Sequence, residues 1–263
     1  WHSLNSGTFG SSILEAGRKD FVSKSTDKPT GSTGSYSVQL KCVDIYIPII
    51  GTTHANGGLT SGRFHAGSTS ADNTANCTYT STVSGYNQTI TAYPDSIYVW
   101  TKTNLSNSNH KARFNIVIHN NAVASNNAIY QDPTPTSANA SIVNTNGATN
   151  EAKVVAKATL NFNTSGNWIQ QKVKFEYTNN NTNPSYILAT FSTNQTAGTG
   201  TGNDKLLFDD VVLIYNTRLA TLTVNGGGLV GFDPDVTSYN YPTPICEGVI
   251  PTVDGTCQSA HAS

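Results

Sequence analysis

Most apolar residues of this chain recur at every second position, in short runs. Ser96 to Lys102 (SIYVWTK) sets Ile97 and Val99 against Tyr98 and Trp100. Ala112 to His119 (ARFNIVIH) puts Phe114, Ile116 and Ile118 on one side, and Ala152 to Phe162 aligns Ala156, Ala158, Leu160 and Phe162. Trp168 to Tyr177 (WIQQKVKFEY) sends Ile169, Val173, Phe175 and Tyr177 inward and Lys172, Lys174 and Glu176 outward. A period of two marks a β-strand, because successive side chains on an extended backbone point to opposite faces.

Three further segments complete the pattern. Tyr36 to Ile50 (YSVQLKCVDIYIPII) reads as one long strand bent near Pro48, and Tyr186 to Phe191 (YILATF) as a short apolar one. Leu206 to Tyr215 (LLFDDVVLIY) is apolar on both faces apart from Asp209 and Asp210, which predicts a central strand with cover on both sides. Seven or more strands without alternating helices exclude a doubly wound fold. They predict an all-β protein built as an antiparallel jelly-roll β-sandwich. Composition agrees, since only 12% of residues are charged and solubility falls to Asn, Thr, Ser and Gly. Thr favours strands, while Asn and Gly favour turns. The polar stretches Gly51 to Thr82 and Ala122 to Glu151 read as long loops between strands.

Several function classes drop out. The formal net charge is −1 and the basic residues are scattered, so no stripe exists to neutralise phosphates and nucleic acid is not an expected partner. No apolar run approaches the roughly 20 residues of a transmembrane helix. The chain opens at Trp1 and contains no Met, and we expect an export segment to have been removed upstream. Cys42, Cys77, Cys246 and Cys257 lack zinc-site spacing. They read as buried free thiols or, for Cys246 and Cys257 in the Pro- and Gly-rich tail, as a local disulfide. No Gly-x-Ser-x-Gly elbow, phosphate-binding loop or HExxH occurs. His54, His65, His110 and His119 are dispersed, and His119 reads as a solvated residue closing a strand.

A boundary falls near Asn216-Thr217, after which Leu219 to Gly227 reads as a strand into a turn. Residues 217–263 are too few for a sandwich of their own and are expected to form a small C-terminal β appendage to a main domain at 1–216. Within that domain five landmarks follow in order. They are Asn5-Ser6-Gly7-Thr8-Phe9-Gly10, then Lys24-Ser25-Thr26-Asp27 leading to Gly34-Ser35-Tyr36-Ser37-Val38-Gln39-Leu40, then Gly58-Leu59-Thr60-Ser61-Gly62-Arg63-Phe64. Pro94 to Lys102 and Lys205 to Asn216 complete the set. Together they resemble the PCMD family, the carbohydrate metabolism domain of Gram-negative gut-type bacterial surface proteins. The resemblance implies a galactose-binding-like jelly roll, export to an extracellular, outer-membrane or periplasmic location, and a role with carbohydrate. The tail from Leu219 to Tyr241 resembles the first strands of a cadherin-like module.

A sugar-binding face needs flat aromatic rings against the C–H faces of pyranoses and polar groups for the hydroxyls. Tyr98 and Trp100 share a strand face, Lys102 follows on it, and Trp168 lies on the polar side of its strand with Gln170 and Lys172 behind it. These four are the candidate ligand contacts, although Tyr98 and Trp100 also read as core. Asp209 and Asp210 are adjacent on a strand, so one is expected to point inward and to need backbone amides or a cation. A similar Asp-Asp-Val ending in carbohydrate-binding jelly rolls implies a structural calcium there.

Glycoside hydrolysis needs two carboxyl groups about 5 to 10 Å apart. Nothing in the sequence pairs two of the candidates Asp95, Glu176, Asp204, Asp209 and Asp210. The residues therefore favour a glycan-binding protein over a glycoside hydrolase. A third reading is a structural or adhesive protein that engages other surface proteins.

Overall fold

The computed structural model describes residues 1–120, 128–134, 150–179, 182–241 and 248–258. Helical structure includes a 3-10 turn at Leu4–Ser6, one α-helical turn, α1 (Ser12–Glu15), and the helical residues Asn150 and Glu151. The first strands are β1 (Thr8–Phe9), β2 (Val22–Ser25), β3 (Ser37–Lys41), β4 (Val43–Ile47), β5 (Gly51–Ala55), β6 (Gly58–Thr60), β7 (Arg63–Ala66), β8 (Cys77–Ser81) and β9 (Gln88–Thr89). Then come β10 (Ser96–Asn104), β11 (Ala112–His119), β12 (Ala128–Asp132), β13 (Val154–Phe162), β14 (Ile169–Lys174), β15 (Glu176–Tyr177), β16 (Tyr186–Ser192) and β17 (Lys205–Ile214). Short strands β18 (Leu219–Val224), β19 (Gly227–Gly228) and β20 (Val253–Cys257) follow. The all-β sandwich expected from the period of two is what the chain adopts.

Two compact units emerge. One comprises Trp1–Ala92 and Ser96–Val212, and the other Tyr93–Asp95 with the described residues from Leu213 onward. The second unit carries a three-stranded sheet in the order β19-β18-β20. Its Tyr239 hydroxyl accepts a 2.6 Å hydrogen bond from the Asp233 amide. Among the described residues no helix is long and apolar enough to cross a membrane.

The first unit is layered. An outer sheet runs β14-β10-β17-β3-β2, a middle sheet β15-β13-β11-β16-β6 with β9 also on β16, and a third sheet β1-β7-β8-β12. The registered pairs are antiparallel except β1 beside β7. Outer and middle sheets share an apolar core. Phe191 of the middle sheet stacks on Phe208 of the outer one, centroids 4.2 Å apart and 8° from parallel. Phe114 sits 5.9 Å from Phe191, and Leu40, Ile97, Val99 and Leu206 are fully buried.

The third sheet covers the other face of the middle one. Val117, Val154 and Leu188 cluster there with Tyr130 of β12. Polar side chains of this face find partners across the gap. Thr190 Oγ1 lies 3.0 Å from Thr78 Oγ1, and Asn115 Nδ2 donates to Asp132 Oδ2 at 2.7 Å. His119 belongs to this set and corrects the sequence reading, for it is 0% exposed rather than solvated. Its ring stacks on Tyr130 at 4.7 Å. Nδ1–H donates to the Asn120 carbonyl and Nε2 accepts from the Thr80 hydroxyl, each at 2.8 Å. Burial pushes its pKa down to about 4, so the ring is neutral.

Other segments divide differently from the sequence pattern. Tyr36 to Ile50 is two strands. The chain leaves the outer sheet at Cys42, whose amide donates to the Asp204 carbonyl, and enters a separate β4–β5 hairpin. Trp168 to Tyr177 likewise passes from the outer to the middle sheet at buried Phe175. Ile169 has the inward phase, paired with buried Thr101, but β14 is an edge strand and leaves it 42% exposed. Gly51 to Thr82 is not a loop, since it holds β5 to β8. All five residues of β8 are buried, and its Thr hydroxyls are hydrogen-bonded, so hydropathy alternation is absent. Ala122 to Glu151 contains β12 and otherwise lies largely outside the described residues. Leu206 to Tyr215 supplies the middle strand of the outer sheet, but the cover expected on both sides is confined to Leu206, Leu207 and Phe208, and Val212 and Tyr215 are exposed. Cys42, Cys77 and Cys257 are free thiols, and Cys246 lies outside the described residues.

His119 gives the first unit an acid sensitivity. Its folded pKa lies below the unfolded 6.5, so protonation favours the unfolded chain. Stability should fall as the pH drops from about 6.5 towards 4, by on the order of 3 kcal/mol at ~1.4 kcal/mol per pH unit. Urea unfolding at several pH values should reveal this loss, and His119→Gln should flatten it. An equal slope in the variant would disprove the assignment.

Candidate functional site

Strand β10 alternates cleanly. Ile97, Val99, Thr101 and Thr103 are buried, while Tyr98, Trp100 and Lys102 are half-exposed on the opposite face. Tyr98 pairs across the ladder with Lys172 and Trp100 with Gln170, both exposed. All of these lie on the solvent side of the outer sheet, because the core side is occupied by Val99 and its neighbours. Of the two sequence readings for Tyr98 and Trp100, surface and core, the alternation supports the surface one.

What organises this face is a residue to which the sequence reading gave no role. Asp27 is the second residue of the loop joining β2 to β3, and its Oδ2 accepts from Lys102 Nζ at 2.7 Å. Its Oδ1 accepts from the Trp168 indole N–H at 2.8 Å. Lys102 and, more weakly, Trp168 hold the Asp27 carboxyl below its ordinary pKa against partial burial. Thus two of the four predicted contacts are tied together by one carboxylate. Its partners lie 75 and 141 residues further along the chain, so no local pattern could have revealed it. The same loop sends the Ser32 hydroxyl to Asp209 Oδ2 at 2.8 Å, fastening it across the outer sheet.

Asp209 and Asp210 are both half-exposed, so the expected buried carboxylate is not found. Asp210 has φ 49°, a left-handed conformation that Asp tolerates and that interrupts the pleat. Side-chain alternation therefore fails at this pair. Asp209 accepts from Ser32 and from the Asp210 amide at 2.9 Å, so the groups touching it are donors. A calcium ion takes six to eight oxygen ligands, and among the described residues no group of three or more His, Cys, Asp or Glu side chains is placed to hold a metal.

A second feature is a cavity of about 350 Å³, within the size range of small-molecule sites. Apolar walls come from Leu4, Phe9, Leu14, Ile45, Ile47 and Phe64. Arg113, Asn115 and Asp132 form a polar end. Burial raises the Asp132 pKa, partly offset by the Asn115 hydrogen bond and by the nearby Arg113 charge. His65, another lining residue, bonds Thr8 Oγ1 at 2.8 Å and is lowered by burial. Sequence reading missed this site, because its residues are spread from Leu4 to Gly198.

The carboxylates weighed for hydrolysis stand apart from one another in role. Asp204 is fully buried. It accepts from the Ser106 amide and hydroxyl, Asn194 Nδ2 and the Thr201 amide. Burial pushes its pKa up, but these donors hold it below the ordinary value. Asp95 accepts from the Asn216 amide, and Glu176 is exposed. Among the described residues Asp132 is the one acid lining the cavity.

No protein-family model and no curated protein matches this sequence. Among solved structures, the chain is similar to a protein from Bacteroides thetaiotaomicron described as a putative glycoside hydrolase, with a TM-score of 0.50 and 13% identity. The likeness covers 81% of this chain and 62% of that one. At that identity it shows a shared β fold.

Asp27 can be tested directly. Asp27→Ala should free the Trp168 indole and change tryptophan emission, while costing at most about 1 kcal/mol because the ion pair is half-exposed. Acid should reproduce the spectral change in the unaltered protein. A carboxyl with a lowered folded pKa stabilises above its unfolded value, near 3.8, and that contribution disappears as pH falls through the folded one. Emission that is unchanged by the substitution would refute the tether.

Proposed function

We propose that this protein binds glycan at the bacterial cell surface and does not cleave it. The observation that carries the reading is the half-exposed row Tyr98, Trp100 and Lys102, set opposite Gln170 and Lys172 on one open sheet face. Aromatic faces stack on the apolar side of sugar rings, and amide and ammonium groups supply hydroxyl contacts. The Asp27 tether fixes Lys102 and Trp168 in advance, which lowers the entropy lost on binding. The resemblance to the PCMD family and the fold shared with the Bacteroides protein agree with a carbohydrate role.

Hydrolysis is the weaker alternative, since it asks for two carboxyls facing one cleft. Asp132 lines the cavity without another described acid. Glu151, whose charge acts on Asp132, is engaged with Lys157 at 2.8 Å.

A glycan array followed by calorimetric titration of the best hit tests the proposal. Trp100→Ala should weaken binding at least tenfold, about 1.4 kcal/mol, with an unchanged circular dichroism spectrum. Retained affinity in a folded Trp100→Ala protein would rule out this face. Release of reducing ends from the bound glycan, abolished by Asp132→Asn, would replace binding with hydrolysis.

A further inference from the structure

The cavity lies apart from the aromatic face and carries its own chemistry. Six apolar side chains from the N-terminal segment, the β4–β5 hairpin and β7 form its walls. At its polar end sits Arg113, whose Nε is buried and has no hydrogen-bond partner. No ion pair is formed by Arg113 among the described residues. A buried donor on a permanently charged group is costly to leave unmatched. Asp132 feels the Arg113 charge but does not match it, because among the described residues no Arg113 nitrogen comes within ion-pair distance of its carboxylate. The missing complement is an acceptor, and the strongest acceptor for a guanidinium is a carboxylate.

We propose that this cavity binds a small molecule with an apolar body and a single carboxylate. The carboxylate meets Arg113, and the body lies against Ile45, Ile47 and Phe64. Asn115, anchored by Asp132 and by the Thr159 hydroxyl, fixes the floor beside the guanidinium. The rim is formed where Ala71 and Gly198 meet, a Cβ on Gly198 falling 2.9 Å from the Ala71 methyl. Ala71 is exposed, so a larger side chain there plugs the mouth without entering the core.

Octanoate is a suitable probe, with octanol as the same body lacking the charge. Calorimetry at millimolar octanoate should show saturable binding and a raised Tm, with octanol at least tenfold weaker. Arg113→Gln and Ala71→Trp should each weaken octanoate at least tenfold. Ala71→Trp keeps the test decisive if Arg113→Gln fails to fold. Glycan binding at the aromatic face should be unaffected by Ala71→Trp. No octanoate binding, equal affinity for octanol, or undiminished binding in a folded variant would each overturn the proposal.

Discussion

The middle sheet is flanked by a sheet on each face, with exposed positions such as Thr159 and Asn161 on β13, and much of the first unit follows from that. Each polar group buried on it calls for a partner inside the protein, since a buried donor or acceptor without one forfeits its hydration. Its two faces meet this demand differently. Towards the outer sheet it presents Phe114, Ile116, Ile118 and Phe191, and nothing polar needs a partner. Towards the third sheet it presents Asn115, His119 and Thr190 among Val117 and Leu188, and each polar member has a hydrogen bond into β8 or β12. The edges obey the same rule. Lys153 is nearly inaccessible and gives its ammonium to the Ile129 carbonyl, while Asn150 bonds both backbone groups of Gln131.

Cover over that second face changes character along β11. Around Val117 it is supplied by Tyr130 of the third sheet. Around Arg113 and Asn115 the β4–β5 hairpin, α1 and polar loops join β7, β8 and Asp132 of the third sheet in lining the surroundings. The cavity opens where these elements meet. The charged arginine lines that cavity. The aromatic face has a different origin, being the side of the outer sheet opposite buried Ile97 and Val99. Its loop from Asp27 to Ser32 fastens to β10 and β17 instead of enclosing it.

How much of this was legible in the sequence depended on how far each residue's partners lay along the chain. The alternation of β10 is local, so the surface side of Tyr98, Trp100 and Lys102 could be read from seven residues. The β17 run was two-faced in hydropathy and proved central. The third sheet was invisible, because β8 satisfies its polar side chains with hydrogen bonds and so carries no apolar period. His119 was misread for the same reason, since its cover is that unseen sheet. Asp209 and Asp210 were assigned to opposite faces by a rule that a left-handed residue suspends. The cavity was beyond reach, as it is assembled from segments separated by most of the chain.

Two stretches of chain belong to two sheets at once. Ser37 to Ile47 leaves the outer sheet for the hairpin at Cys42, and Ile169 to Tyr177 leaves it for the middle sheet at Phe175. Neither the outer nor the middle sheet can come apart without dragging a strand of the other out of register. Such sharing couples local openings into a single cooperative event. It also ties folding speed to pairings between remote segments, such as Leu40 with Leu206. Chains of that kind close large loops before any contact rewards them, and they fold slowly. A nascent chain lacking β17 would hold β10 and β3 as unpaired edges, the state in which β-rich proteins are most exposed to association.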